Sequence, residues 1–279
     1  MTTTVIGLLH PGEMGAAVGA AARQNGARVI WASSGRGDAT RRRAGDAGLE
    51  DVGTVERLVA ESRLILSICP PAAAVDVGRE VAALGYRGVY VDGNAVAPDT
   101  TEAVGDIVSG GGAQFVDGGI IGPPPHQPGT TRLYLSGVGA ADVAARFTHG
   151  PLTAITLDNR IGAASALKMA YAGWNKGSQA LLLAIRALAA REGVDEALVR
   201  EWALSMPDLA RRTEQAVAGN TKKAWRFVGE MREIASTFAA AGLPEGFHEA
   251  AAEVFERMAH WKDAPTPPSV ADVQKALTR

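Results

Sequence analysis

The stretch VIGLLHPGEMGAAVGAAARQNGARVIWASSGRGD, residues 5–38, decides the fold class of this chain. It places a glycine-spaced turn and a helix-compatible segment between two apolar runs. The same alternation continues to about residue 158 and is typical of a parallel sheet with helices on both faces. Beyond it, Ala- and Leu-rich segments predict helices only. We predict an α/β, doubly wound domain over residues 1–158 and an all-α domain over residues 159–279. The predicted strands are residues 4–9, 28–31, 63–68, 88–92, 114–121 and 131–136.

Composition narrows the class of protein. The chain has 279 residues, of which 47% are hydrophobic, and a formal net charge of −2. Because it carries no long basic block, we expect neither a nucleic-acid partner nor a membrane partner. A single cysteine excludes an internal disulfide, and the five histidines are too scattered for a structural metal site. With no recognisable leader or membrane span, a cytoplasmic location is expected.

The turn after the first apolar run has the features of a phosphate-binding loop. Gly7, Gly12 and Gly15 are spaced so that the backbone can turn tightly and approach a pyrophosphate at the N-terminus of the next helix. This arrangement is typical of a Rossmann-like dinucleotide-binding domain. The alternative is a structural turn that needs its glycines for steric reasons. The cofactor-binding residues predicted in this segment are Gly7, His10, Pro11, Gly12, Glu13 and Met14.

The end of the second apolar run predicts which dinucleotide binds. Sites for NAD place an Asp or Glu about 20 residues after the glycine loop, where it accepts hydrogen bonds from the ribose 2′-hydroxyl. This chain instead has Ser33, Ser34 and Arg36, with no carboxylate before residue 38. Hydroxyl groups and a guanidinium suit a 2′-phosphate, so the predicted cofactor is NADP(H). The alternative is that Ser33, Ser34 and Arg36 form a solvated loop that binds no cofactor. The arginines at residues 41–43 lie on a predicted surface helix and are expected to be solvated.

Over nearly its whole length, the chain resembles the β-hydroxyacid dehydrogenase superfamily, which includes 6-phosphogluconate dehydrogenase and the imine reductases. GLLHPGEMG, residues 7–15, resembles the family motif G-x-x-G-x-G-x-M-G, with His10 replacing the middle glycine. SICPP, residues 67–71, resembles the segment that lies along the cofactor after the fourth strand. VDGNAVAP, residues 91–98, resembles the family's D-x-S-T-x-x-P. The resemblance thereby implies cofactor contacts by Cys69, Pro70 and Asn94, although the Cys69 thiol itself is predicted to be buried and inert.

A second group of motifs implies the substrate site. VDGGIIGPPP, residues 116–125, resembles the family's substrate loop D-A-P-V-S-G-G. Ile121 stands where the family serine would bind a substrate carboxylate, which removes one anchor for a hydroxy acid. The resemblance to the 6-phosphogluconate-dehydrogenase-like branch also implies that the helical domain serves substrate binding and dimerisation. The substrate-binding residues implied here are Ile120, Ile121, Gly122 and Pro123.

The long helical segment carries the predicted catalytic residues. GAASALKMAYAGWNKG, residues 162–177, resembles G-x-x-x-x-x-K-x-x-N-N and places Lys168 on the family's catalytic lysine. Independently of the resemblance, Lys168, Tyr171 and Asn175 share one face of a largely apolar helix, which favours a cavity lining. A desolvated lysine can exchange a proton near neutral pH, so we predict Lys168 as general acid or base, with Asn175 and Tyr171 orienting the substrate. Lys176 lies about 100° away and is expected at a surface or interface.

These observations predict an NADP(H)-dependent oxidoreductase that transfers hydride between the nicotinamide and a small hydroxy or carbonyl compound. Two alternatives remain open. The first is an imine reductase acting on a carboxylate-free substrate, which Ile121 favours and Lys168 disfavours, since the resembling imine reductases usually lack that lysine. The second is a non-catalytic NADP(H)-binding sensor, which would not need Lys168. The resemblance also implies a homodimer.

Overall fold

The computed structural model describes residues 3–279, which divide after Met169 into two compact units. The first unit contains an eight-stranded sheet. Its strands are β1 (Val5–Leu9), β2 (Arg28–Trp31), β3 (Glu50–Asp51), β4 (Leu64–Ser67), β5 (Val89–Asp92), β6 (Gln114–Ile121), β7 (Thr131–Ser136) and β8 (Leu152–Thr156). Its helices are α1 (Glu13–Gln24), α2 (Asp38–Asp46), α3 (Val55–Glu61), α4 (Ala74–Ala83), α5 (Pro98–Gly110) and α6 (Ala140–Ala144).

The order of the strands creates a crevice at one edge of the sheet. The order is β3-β2-β1-β4-β5-β6-β7-β8, and every neighbouring pair is parallel except β6 and β7. The chain runs outward from β1 to β3, and then returns to the other side of β1 to form β4. Such a reversal leaves a crevice beyond the carboxyl ends of β1 and β4, where ligands bind in open α/β sheets.

Two apolar layers cover the faces of this sheet. Successive strand residues alternate between them, so Leu64 and Leu66 belong to one buried cluster whereas Ile65 belongs to the other. Each of these three side chains is at most 5% exposed. Strands that are buried on both faces require helices on both sides, which explains the uninterrupted apolar runs in the sequence.

The second unit is entirely helical. Helix α7 (Ala163–Arg191) begins in the first unit and continues into the second. The remaining helices are α8 (Asp195–Ser205), α9 (Leu209–Asn220), α10 (Ala224–Ala240), α11 (Gly246–Met258) and α12 (Val270–Leu277). Helices α10 and α11 pack through Phe227 and Phe255, whose ring centroids lie 5.3 Å apart in an edge-to-face arrangement. Within residues 3–279, no helix is both long and apolar enough to cross a membrane.

The α/β fold followed by helices is confirmed, with three differences in detail. Strands β3 and β8 and helix α6 do not appear in the predicted pattern. Strand β3 has only two residues, both exposed, and β8 is an edge strand in which only Leu152 is buried, so neither shows a continuous apolar run. The sheet is also mixed, because β6 and β7 pair antiparallel. The predicted domain boundary at residue 158 precedes α7, whereas the division into units falls inside that helix.

Candidate active site

Most of the predicted cofactor-binding residues lie at the carboxyl edge of the sheet. They occupy the loops after β1, β2, β4 and β5, which converge because parallel strands end on the same side. Gly7 does not lie there. It sits within β1 and packs against Leu58 and Ser62, which a Cβ at that position would meet. Met14 lies in α1 and packs against the apolar core.

The turn between β1 and α1 presents an open helix N-terminus. Gly12 is the N-cap residue of α1. Because glycine has no side chain, the N-cap residue does not accept a hydrogen bond from the first N–H groups of the helix. A Cβ at Gly12 would have no heavy atom within 4 Å, apart from its immediate chain neighbours. Pro11 is buried, and Glu13 is exposed in the first helical turn. Unpaired N–H groups beside open space form the kind of site in which helices bind phosphate.

The loop after β2 is held from two directions. The Arg41 guanidinium donates to the carbonyl oxygens of Ser33 and Arg36, at 3.0 and 3.1 Å. Arg36 Nη2 lies 2.9 Å from Nε2 of His10 in the glycine turn. Ser33 is buried, whereas Ser34 is exposed. The structure thus brings Arg36 against the glycine turn. Arg41 is exposed, as expected, although its guanidinium also hydrogen-bonds to this loop.

The loops after β4 and β5 are joined by a buried amide. Asn94 Oδ1 accepts a hydrogen bond of 2.6 Å from the backbone N–H of Cys69, and Asn94 Nδ2 donates to Ser67 Oγ at 3.3 Å. Cys69 is buried, as predicted, and burial raises the pKa of its thiol to about 12, which disfavours the reactive thiolate. Pro70 is exposed beside it. Asn94 therefore sets the spacing of two loops of the crevice.

Two buried carboxyl groups stand side by side on neighbouring strands, and neither is among the site residues predicted from the sequence. Asp92 of β5 is the register partner of Asp117 of β6. Burial raises the pKa of Asp92 to about 7, although the backbone N–H of Asn94 donates to its Oδ1. Burial also raises the pKa of Asp117. A charged residue in an apolar strand run was the signal that could have found them, since a buried carboxyl needs partners.

The raised pKa of Asp92 predicts a pH-dependent stability. The folded protein keeps this proton to about pH 7, whereas the unfolded chain loses it near 3.8. The unfolded state binds fewer protons over that interval, so the free energy of unfolding falls as pH rises from about 4 to 7. Asp92→Asn removes this titrating group, so its unfolding free energy should not fall in this way. The unfolding free energy of the variant should therefore rise by a few kcal/mol relative to that of wild type between about pH 4 and 7, because each pKa unit is worth about 1.4 kcal/mol. Urea titrations at several pH values measure this difference, and a pH-independent difference would contradict the assignment.

Asp117 holds the N-terminus of α7 against strand β6. Its Oδ2 accepts hydrogen bonds from the backbone N–H groups of Ala164 and Ser165, at 2.9 and 3.1 Å, and from Ser136 Oγ at 3.0 Å. Its Oδ1 accepts from Ser165 Oγ at 2.7 Å. A carboxylate at a helix N-terminus both satisfies the unpaired N–H groups and interacts favourably with the helix dipole. This contact fixes where α7 begins.

Lys168 lies one turn further along α7 and contacts the same strand. Its Nζ donates a 2.8 Å hydrogen bond to the carbonyl oxygen of Ile120. The approach is possible because Gly119 has no side chain: a Cβ there would lie 2.6 Å from the Ala164 carbonyl oxygen and 3.2 Å from Lys168 Cβ. The Lys168 ammonium is partly buried. The structure therefore places the predicted general acid or base at the carboxyl end of β6.

The predicted substrate loop begins at this same end of β6. Ile120 and Ile121 are both buried, at 5% and 4% exposure, and as neighbours in a strand they point to opposite faces. Ile120 joins the apolar core and presents only its backbone carbonyl to Lys168. Gly122 and Pro123 follow in the loop, whose ends are joined by Thr131 Oγ1 donating to the Pro123 carbonyl at 2.6 Å.

Tyr171 and Asn175 lie on the part of α7 that belongs to the second unit, and both are exposed. Asn175 Oδ1 accepts a hydrogen bond of 3.3 Å from Gln179 Nε2. Lys176 does not lie at the surface of this chain, so that part of the expectation is wrong, whereas a position at an interface stays a prediction. Its ammonium forms an ion pair with Glu230 and lies 4.8 Å from the centre of the Phe227 ring. Its side chain is only 15% exposed, so it joins α7 to α10.

The residues around the crevice fit a dinucleotide with a 2′-phosphate. The open N-terminus of α1 offers N–H groups for a pyrophosphate, and the space beside Gly12 lets a ligand approach the backbone. The loop after β2, which would contact the ribose, carries Arg36 and two serines rather than a carboxylate. An arginine fork matches phosphate oxygens, whereas an Asp or Glu would repel them.

Comparisons with known proteins agree with this architecture. Residues 189–258 match the family described as a domain of unknown function, DUF1932. Over 166 residues, 59% of this chain, the sequence is 29% identical to an uncharacterised 28.5 kDa protein of Methanothermus fervidus, and the match spans 63% of that protein's length.

Solved structures extend the likeness to the whole chain. The 3-hydroxyisobutyrate dehydrogenase of Mycobacterium tuberculosis, solved with L-serine, has a TM-score of 0.70 and 16% identity, with all of both chains covered. The reductive aminase of Aspergillus terreus, solved with NADPH and ethyl levulinate, has a TM-score of 0.58 and 19% identity, covering 98% of this chain and 99% of that one. The chain therefore has the fold of the hydroxyacid dehydrogenases and imine reductases, and the resemblance seen in the sequence is confirmed at that level.

Proposed function

We propose that this protein is an NADP(H)-dependent oxidoreductase that acts on a small hydroxy or carbonyl compound. The observation that carries the proposal is the arrangement at the carboxyl edge, where Arg36 lies against the glycine turn that opens α1. Both the dehydrogenase and the reductase neighbours share this fold, and the reductive aminase binds NADPH. These likenesses support a nicotinamide cofactor at the same edge of the sheet.

In this proposal, each residue has a separate task. The N–H groups of the first turn of α1 bind the pyrophosphate, and Arg36 binds the 2′-phosphate. The bound nicotinamide supplies hydride chemistry. The Lys168 ammonium holds a proton beside the carboxyl end of β6 and moves it to or from the substrate oxygen or nitrogen. The carbonyl oxygen of Ile120 orients this ammonium by accepting one of its hydrogen bonds.

One observation favours imine reduction as a second candidate. Ile121, which replaces the carboxylate-binding serine of the resembling dehydrogenases, is buried and apolar. A site without that hydroxyl favours substrates without a carboxylate. A panel of small hydroxy acids, ketones and cyclic imines decides between them: turnover of carboxylate-free substrates alone selects the imine reductase. NADPH binding with no turnover of any of them selects the sensor.

We also propose that the chain forms a homodimer through α7. Trp174, Leu181 and Leu188 recur every seven residues along this helix and are 73%, 60% and 60% exposed. A stripe of large apolar side chains at this spacing is typical of a helix that packs against another surface. Sedimentation of the purified protein measures the oligomeric state directly.

Titration with each dinucleotide tests the cofactor assignment. We expect wild type to bind NADPH more tightly than NADH. Arg36→Ala should weaken NADPH binding about 10- to 100-fold while changing NADH binding less than about threefold, because a charge-assisted hydrogen bond contributes roughly 1.5–3 kcal/mol. Nicotinamide fluorescence gives both dissociation constants.

Arg42→Ala provides a matched control for this titration, since it removes the same charge from an exposed position on α2. It should leave both dissociation constants nearly unchanged. If both alanine variants lost NADPH affinity equally, Arg36 would contribute only a nonspecific electrostatic attraction. A wild-type protein that binds NADH more tightly than NADPH would contradict the assignment of Arg36 to the 2′-phosphate.

A further inference from the structure

The residue that replaces the loop glycine has an unusual backbone conformation. His10 has φ = 65° and is the one non-glycine residue with positive φ within residues 3–279. This left-handed region costs an L-residue roughly 1–2 kcal/mol, although His tolerates it better than bulky or β-branched residues do. Glycine would occupy it without strain. A strained backbone at a ligand loop calls for an explanation in terms of what the side chain does there.

The His10 side chain contacts Arg36. Its Nε2 lies 2.9 Å from Arg36 Nη2, and a guanidinium can only donate, so Nε2 must be the acceptor and the ring proton must reside on Nδ1. The pairing therefore requires a neutral imidazole. Burial, and then the Arg36 charge, lower the pKa of His10 to about 4, so the ring is neutral at physiological pH.

We infer that His10 is the positioning residue that orients Arg36 for the 2′-phosphate and thereby sets the preference for NADP(H); this inference rests on the proposed function. Arg41 fixes the backbone of the loop after β2 by donating to the Ser33 and Arg36 carbonyls. His10 fixes the side chain of Arg36. Arginine otherwise loses considerable rotamer freedom on binding. His10 uses one of the five guanidinium donors, and a bidentate phosphate contact needs two. Preorganisation lowers the ordering cost at the moment of binding.

Three substitutions of His10 separate this role from the shape of the turn. His10→Gly suits the positive φ but removes the imidazole. His10→Asn also tolerates that conformation, and its amide reaches only to about the position of Nδ1. His10→Gln is longer, and its amide oxygen can accept near the position of Nε2. Dissociation constants for NADPH and NADH are measured for each variant and for wild type.

We expect the Gly and Asn variants to lose about tenfold in the ratio of NADPH to NADH affinity, with NADH affinity nearly unchanged, because NADH has no 2′-phosphate. His10→Gln should retain a ratio close to that of wild type. In an Arg36→Ala background, His10→Asn should change the ratio no further, since the two residues act as one unit.

The outcomes distinguish this inference from the proposed function. If wild type prefers NADPH but His10→Gly and His10→Asn keep the full ratio, the inference is wrong and the cofactor assignment stands. Equal losses for both dinucleotides would assign His10 to the shape of the turn alone and would also overturn the inference. Wild type without a preference for NADPH overturns the inference and the proposed cofactor together.

Discussion

Lys168→Ala is expected to lower kcat for hydride transfer by about 10²- to 10⁴-fold, the usual contribution of a positioned general acid or base. The Lys168 ammonium donates to the Ile120 carbonyl at the end of β6, on the edge of the sheet that carries the glycine turn. Its loss removes the proposed proton donor without touching the loops after β1 and β2. Steady-state rates with a substrate from the panel, together with NADPH titrations, separate chemistry from binding.

Lys168→Arg is the informative companion to this variant. Arginine keeps the positive charge and can still donate to the Ile120 carbonyl, but it does not release its proton at accessible pH. If Lys168 transfers a proton, kcat should remain low in the arginine variant although the charge is restored. Recovery of most of the rate would instead assign Lys168 a purely electrostatic task. Retention of more than a tenth of wild-type kcat by Lys168→Ala would reject the assignment altogether.

Asp117→Ala is expected to cause the largest loss of stability, about 4 kcal/mol or more of unfolding free energy. Its carboxylate accepts four hydrogen bonds, from the side chains of Ser136 and Ser165 and from the backbone of Ala164 and Ser165. Alanine would remove all four bonds and leave the Ser165 N–H without an acceptor, although the Ala164 N–H would keep Ser136 Oγ and Ser165 Oγ would keep Thr101 Oγ1. Each buried group left unsatisfied costs roughly 1–3 kcal/mol, and each lost bond to a charged group costs roughly 1.5–3 kcal/mol. Urea unfolding followed by tryptophan fluorescence measures the loss.

Ser136→Ala provides the matched control, because it removes one of the four donors and leaves the carboxylate with the other three. We expect it to cost about 1 kcal/mol, the usual net value of one hydrogen bond. If Asp117→Ala costs no more than Ser136→Ala, the carboxylate does not hold the start of α7. An insoluble Asp117→Ala protein alongside a well-behaved Ser136→Ala protein would agree with the expected ranking.

The sequence predicted the sheet well where most side chains of a strand are buried. Strands β2, β6 and β7 begin and end at the predicted residues, and each is mostly buried. The two-residue strand β3 was missed, since its exposed Glu50 and Asp51 give no apolar signal. Strand β8 was missed for a related reason, because it is half exposed at the sheet edge.

The candidate site was predictable in its residue types but not in its contacts. The open turn at Gly12 and the arginine after β2 follow from the spacing of the sequence. The pairing of His10 with Arg36 depends on a left-handed backbone at residue 10, which no local pattern indicates. The part played by Asp117 depends on strand register and on the start of a helix 47 positions later. Contacts of this kind arise only once the sheet has formed.

Strand β6 also limits how the length of the chain can vary. Within four residues, this strand supplies three contacts to α7. The Asp117 carboxylate holds the start of the helix, Gly119 lets the helix approach the backbone, and the Ile120 carbonyl accepts a hydrogen bond from the Lys168 ammonium. Inserting or deleting one residue here would turn every later side chain of the strand to the opposite face. Insertions and deletions should therefore be absent from residues 117–120 across related genes. They should accumulate instead in the neighbouring loop at residues 122–130, most of which is exposed.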